Sequence, residues 1–295
     1  MNIEIYPGSG PLKLEDREEF SRALSANPPL TSELTFTNLY CWRQAYNFQV
    51  AKLDNLLIVS SGKDPAKRFL SPIGKGDIKS AVIKILGETK GAFIRIGEEV
   101  SGLFKDEPGI RIDYDRDNSD YLYSAADLIE LAGRKYDGKR NLIRRFKSER
   151  EYEYLILDAS NIAECLEFEE TWCTIKDCDG VQGLANEKQA IREMVSNFAF
   201  FNLLAGAIRV DGKIRAVALA EKLNPDTLVM HVLKADPDMP GLYQVMFNEF
   251  LLRQERGFDY VNLEQDLGIE GLRRSKESYH YIKLINKYTL RLRES

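Results

Sequence analysis

Apolar residues recur at helical spacing at Leu12, Leu14, Phe20 and Leu24, and again from Thr31 through Leu34, Leu39 and Trp42, which predicts two helices in succession. QVAKL and LLIVSS, separated by Asp54-Asn55, predict an antiparallel hairpin, and RFLSPIG adds a short third strand. Ile78, Ala81, Val82, Ile85 and Leu86 then share one helical face that stops at Gly87 or Gly91, and AFIRI alternates as a strand does.

The second half repeats that order with longer elements. EYEYLILD reads as a strand, residues 160–173 and 186–201 as helices, and LLAGAIRV and KIRAVALAEKL as a hairpin around Asp211-Gly212, a pair suited to the positive φ of a two-residue turn. TLVMHVLKA supplies a third strand, a helix runs from near Pro240-Gly241 to Arg256, and FDYVNLE follows as a buried strand. A short helix around 269–276 and a last strand, LINKYTLRL, complete this half. No residue-level repeat links the halves, so the parallel lies in the element order alone.

A three-strand meander, one helix and another strand is an order that resembles the acyl-CoA N-acyltransferase (GNAT) fold. The expected class is α+β, with two tandem GNAT-like domains at 1–135 and 136–295, each a mixed, mostly antiparallel sheet flanked by helices. The join falls between about 125 and 150, where GRKYDGKRN breaks the apolar periodicity. At 295 residues the chain is long enough for two such domains.

Composition narrows the function classes. The 44% hydrophobic and 29% charged residues describe an ordinary globular chain, and no stretch is long and apolar enough to cross a membrane. The N-terminal residues show no basic segment followed by an apolar run, which makes the cytoplasm the expected compartment. Cys41, Cys165, Cys173 and Cys178 form no CxxC pair, so reduced structural thiols are expected, and with two histidines no metal site is. A net charge of −5 speaks against general polyanion binding. It conceals local patches: residues 139–150 hold six bases and one acid, whereas residues 158–170 hold five acids and no base. Arg140, Arg144 and Lys147 form one stripe of a helix, fit for tRNA phosphates or an anionic lipid surface; pairing with the acidic stretch is the plainer alternative.

An acyl-CoA enzyme needs small residues in the loop that opens its long helix, so that pyrophosphate reaches backbone N–H groups. Here the loop is Asp238-Met239-Pro240-Gly241-Leu242-Tyr243, with a carboxylate and an aromatic ring where an amide and a small residue belong. Acetyl-CoA is therefore the less favoured donor. Polar residues concentrate instead in YVNLEQDLGIEGLRRSKESY, Tyr260 to Tyr279. If the strand continues, Asn262, Glu264 and Asp266 alternate onto one face beside a helix with Arg273 and Lys276, giving acids to orient an amine and cations to hold an anion. A salt-bridged corner explains the same residues equally well. His231, among apolar strand residues, reads more readily as a core histidine than as a base, and Glu221 at a strand end as an exposed side chain or an amine ligand.

SELTFTNLYCWRQAY, KRNLIRRF, HVLKAD and NLEQDLGIEGLRRSKESY resemble blocks of bacterial proteins similar to the C-terminal domain of phosphatidylglycerol lysyltransferase, and together they span most of the chain. The resemblance implies the tandem acyltransferase-like fold and transfer of an aminoacyl group from charged tRNA to a lipid or small acceptor. Acyl-CoA N-acyl transfer and non-catalytic binding stay open as alternatives. The catalytic candidates are Glu264, Asp266, Lys276, Glu221 and His231, and the substrate-binding candidates Asn262, Arg273, Lys234, Tyr243 and Tyr279.

Overall fold

The computed structural model describes residues 3–63, 66–176, 180–254 and 257–293. In chain order the strands are β1 (Gly10–Pro11), β2 (Gln49–Leu53), β3 (Leu56–Ser61), β4 (Arg68–Phe69), β5 (Ala92–Gly97), β6 (Ile110–Tyr114), β7 (Asp120–Ser124), β8 (Glu153–Leu157), β9 (Leu204–Val210), β10 (Lys213–Asn224), β11 (Thr227–Ala235), β12 (Tyr260–Asn262), β13 (Lys283–Ile285) and β14 (Lys287–Leu292). They form two seven-stranded mixed sheets, ordered β1-β2-β3-β4-β5-β14-β6 and β13-β7-β12-β11-β10-β9-β8. With flanking helices this is an α+β architecture.

Two compact units result, one of residues 1–121, 264–273 and 284–295, the other of residues 122–263 and 274–283. This division differs from the expected 1–135 and 136–295. Strand β14, expected to finish the second half, pairs antiparallel with β5 and β6 and places Leu290 in the first core. Strand β7 from the first half pairs with β12 in the second sheet. An apolar strand pattern specifies two faces but not a neighbour, so periodicity could not reveal these exchanges.

In the first unit the helix Ile78–Thr89 buries the predicted face, Ala81, Val82, Ile85 and Leu86, against Phe69 and Phe93, whose rings stack at 5.1 Å. Asp77 caps its start by accepting from the Ser80 N–H. It ends with Lys90 in the left-handed region, between the two expected glycines.

In the second unit β9, β10 and β11 form the predicted meander. Asp211 and Gly212 both take positive φ, 51° and 74°, as the tight hairpin requires. The helix Leu242–Arg253 buries Leu242, Val245, Met246, Phe247, Phe250 and Leu251; the expected end at Arg256 lies outside the described residues. Cys41 and Cys165 are free and buried, and burial pushes the Cys165 thiol up to about 12. Cys173 is in a disulfide, against the expectation of reduced thiols, and Cys178 lies outside the described residues.

Candidate functional site

In the second sheet Glu221 pairs with Val229, and Val229 with Asn262, so these three residues occupy one row and one face across β10, β11 and β12. The β10–β11 register slips between Leu219–Val232 and Ala220–Met230, leaving His231 as an extra residue. Such a bulge re-aims a side chain. Here it accompanies a contact of 2.8 Å between His231 Nε2 and Glu221 Oε1, with the two side chains only 1% and 13% exposed. Strand β12 runs parallel to β11 for three residue pairs and then leaves it, so His231 lies just past the point where the strands part. A carboxylate at Nε2 favours the tautomer with hydrogen on that nitrogen and stabilises the imidazolium formed when the ring takes a proton. That is the chemistry of a general base. The signal missed in the sequence was the bulge, which joins two residues that were read separately.

The acid-rich segment is built differently from expectation. Strand β12 ends at Asn262, and Glu264 (φ 57°), Leu267 (φ 57°) and Gly268 (φ 72°) turn the chain through left-handed conformations, so strand alternation does not carry Glu264 and Asp266 onto the face of Asn262. Asp266 is fully buried and accepts from Arg116 Nη1 (3.0 Å), Arg273 Nε (2.9 Å), Arg273 Nη2 (3.0 Å), the Tyr121 hydroxyl (2.7 Å) and the Gly268 N–H (2.8 Å). Burial by itself would raise its pKa, but these hydrogen bonds and the Arg116 charge outweigh it and hold the carboxyl well below the usual carboxylate range. An anion so fully bonded takes no proton from an amine. Arg273 also binds Asp117 at 2.7 Å. Asp266 and Arg273 are thus an anchor, in the sense of the salt-bridged corner, and sequence reading missed Arg116 and Tyr121 because they lie 150 and 145 positions away. The Glu264 carbonyl accepts from the Tyr121 N–H at 3.1 Å. Lys276 donates to the Leu263 carbonyl.

Lys234 is buried between Glu169 and Glu187, 2.9 Å from each, with the Trp172 ring centre 4.0 Å away. Its ammonium is engaged inside the protein instead of reaching a substrate. Tyr279 is buried edge-on against Phe247 at 5.4 Å, and burial pushes its hydroxyl well above the ordinary value; burial also raises that of Tyr243. Tyr279 is a packing group of the core.

The basic stripe lies on the helix Asp137–Glu149 along a shallow groove of about 510 Å³, whose lining includes Ile129, Leu131, Arg140, Ile143, Arg144 and Lys147. Among the described residues its partners lie outside the acidic stretch. Arg140 pairs with Asp137 and donates to the Leu131 and Gly133 carbonyls, Arg144 donates to Asn141 at 3.2 Å, and Lys147 pairs with Glu249. The acidic stretch instead pairs through Glu164 with Arg209, through Glu170 with Lys188 and Arg192, and through Glu169 with Lys234. The same helix bears on the long-helix loop. Gly241 has φ 92°, and a Cβ there would come within 2.6 Å of the Leu142 carbonyl oxygen. Among the described residues no group of His, Cys, Asp and Glu could hold a metal ion, and no helix is long and apolar enough to cross a membrane.

Comparison with known proteins places this geometry. A conserved protein of unknown function from Bacteroides thetaiotaomicron is 31% identical, with TM-score 0.88 over 97% of this chain and 99% of that one. L-PGS from Bacillus licheniformis, 16% identical, shares the fold at TM-score 0.66 over 99% of this chain and 94% of that one. No curated protein matches by sequence. The family model described as phosphatidylglycerol lysyltransferase, C-terminal, matches residues 27–291, and the chain belongs to that family.

Proposed function

We propose that the chain is an aminoacyl transferase, moving an aminoacyl group from charged tRNA to a lipid or small acceptor, and that its two units are tandem GNAT-like domains with the chemistry in the second. The carrying observation is the buried His231–Glu221 pair at the bulge where β11 and β12 part. In this reading His231 takes the proton from the acceptor's hydroxyl or amine as that atom attacks the aminoacyl ester carbonyl. The imidazolium, held by Glu221, then returns the proton to the departing ribose oxygen. One ester bond to tRNA breaks and one bond to the acceptor forms, with no net gain or loss of protons. The ester is already activated, so positioning and proton transfer suffice.

Two further features support the reading. The packing of Gly241 against the Leu142 carbonyl gives a reason for that glycine that needs no pyrophosphate. In this reading the donor is charged tRNA and not acetyl-CoA. The groove beside Arg140, Arg144 and Lys147 offers cations along an apolar floor, suited to the phosphates of tRNA or of a lipid.

The test is transfer of labelled aminoacyl groups from charged tRNA to lipid and cell extracts. His231→Gln should lower transfer by about 10²–10⁴-fold, the ordinary worth of a general base. Glu221→Gln should lower it less, and circular dichroism should show both variants folded at the assay temperature. Wild-type protein that transfers nothing, or a His231→Gln variant as active as wild type, would sink the assignment.

A further inference from the structure

The acidic stretch that the sequence marked, and that the transferase reading leaves unused, helps to form a second cavity. Glu164, Glu167, Phe168, Thr171, Trp172 and Ile175 follow one another at helical spacing, so they share one face of the helix Glu164–Lys176. That face, with Lys213 and Arg215 of β10 and Asp236 just past β11, lines a pocket of about 350 Å³ that lies wholly in the second unit. Its size suits a small molecule.

The register of β10 against β9 slips between Ile214–Arg209 and Ala216–Ile208, which leaves Arg215 as an extra residue. As at His231, a bulge re-aims a side chain. Arg215 Nη1 donates to Asp236 Oδ2 at 3.0 Å, and Asp236 Oδ1 accepts from the Asp238 N–H at 3.0 Å, so the guanidinium is held from one side. Its Nε and Nη2 have no partner among the described residues, and Nε is buried. Those two nitrogens form the fork that grips a carboxylate through parallel N–H bonds. A buried donor without a partner is uncommon and calls for one.

Charge defines the rest of the ligand. The pocket is lined by the cations Lys213 and Arg215 and by the carboxylates of Glu164, Glu167 and Asp236. Glu164 accepts from Arg209 at 2.8 Å, whereas the Glu167 carboxylate has no partner among the described residues. A plain anion would be repelled by the helix acids and a plain cation by Arg215 and Lys213, but a molecule that carries both charges matches both sides. Phe168, Trp172 and Ile175, the last 48% exposed, supply an apolar wall beside these charges. We propose that this pocket binds a free α-amino acid with an apolar side chain, its carboxylate on Arg215 and its ammonium on Glu167. Arg215 precedes Glu221 by six residues of β10, roughly 20 Å of extended strand, so the pocket is separate from the His231–Glu221 pair. The proposal goes beyond the transferase reading and is read by binding alone, so it stands or falls separately from turnover.

The experiment is calorimetric titration of the full chain with L-phenylalanine, L-leucine, L-phenylalaninamide and N-acetyl-L-phenylalanine. The two amino acids should bind saturably, one per chain. The amide lacks the carboxylate and the N-acetyl compound lacks the ammonium, so each should bind at least about tenfold more weakly than phenylalanine. Arg215→Gln and Glu167→Gln should each weaken phenylalanine by at least about tenfold. Arg215→Gln should weaken the amide no further, and Glu167→Gln should weaken the N-acetyl compound no further, whereas loss of fold would weaken every ligand alike. Glu167 is exposed, so its variant keeps the test valid even where Arg215→Gln does not fold. His231→Gln should bind phenylalanine as wild type does. No saturable binding of either amino acid, amide or N-acetyl compound bound as tightly as phenylalanine, a Glu167→Gln variant that binds like wild type, or binding lost with His231→Gln would each overturn the proposal.

Discussion

Asp266 shows how a residue can be conspicuous in a sequence and misleading about its part. Alternation with Asn262 and Glu264 suggested one acidic face beside a cationic helix, and the polar cluster is real. What decides its role is Arg116 and Tyr121, whose approach no local pattern records. Replacing Asp266 by Asn would leave Arg116 and Arg273 without their shared anion and should cost about 3–5 kcal/mol, the usual loss on breaking a buried pair. The cost should depend on pH. The folded carboxyl titrates below the unfolded one, so its contribution is full above the unfolded value of about 3.9 and disappears as pH falls toward the folded value. Urea unfolding of wild type and variant at pH 7 and pH 3 measures this; a gap that stays constant across that range would refute it. His231 is the converse case. Its apolar neighbours marked it as core, and its side chain is buried as they suggest; what they did not show is that the slipped register brings it to Glu221.

At the scale of elements, local chemistry was a good guide wherever the cause was local. The Asp211-Gly212 turn, the apolar face of Ile78–Thr89 and the three-strand meander all form as the residue pattern predicts. Gly241 was equally visible, but its reason was not. It stands in the loop that opens the long helix, and its missing Cβ makes room for the Leu142 carbonyl of a neighbouring helix. Gly241→Ala should therefore destabilise by at least about 1–2 kcal/mol through left-handed strain alone, with the backbone clash adding to it. A denaturant midpoint lowered accordingly would bear this out, and an unchanged midpoint would show that the backbone relaxes freely. Strand β14 illustrates the limit. Its alternation was plain, yet it enters the sheet between β5 and β6, far from its neighbours in sequence.

At the scale of the molecule, that insertion makes the chain termini cooperate. Lys287, at the start of β14, is fully buried and binds Asp120 at 2.6 Å and Glu33 at 2.7 Å. Ending the chain after Lys283 would remove the strand between β5 and β6, expose the core around Leu290 and leave two buried carboxylates without their lysine. The truncated chain should lack the wild-type cooperative melting transition in circular dichroism; retention of that transition at the wild-type temperature would contradict the arrangement.

The sequence by itself determined the α+β class, the kind and order of most elements, and the family, because periodicity, turn chemistry and motif blocks are written along the chain. Tertiary structure alone decided which strands are neighbours, that β7 and β14 change sheets, that Asp266 and Arg273 form an anchor, and that His231 meets Glu221. The physical reason is common to all four. A side chain's protonation, charge and reach depend on groups that burial brings within about 3 Å, and strand pairing sets those groups without regard to their separation in sequence.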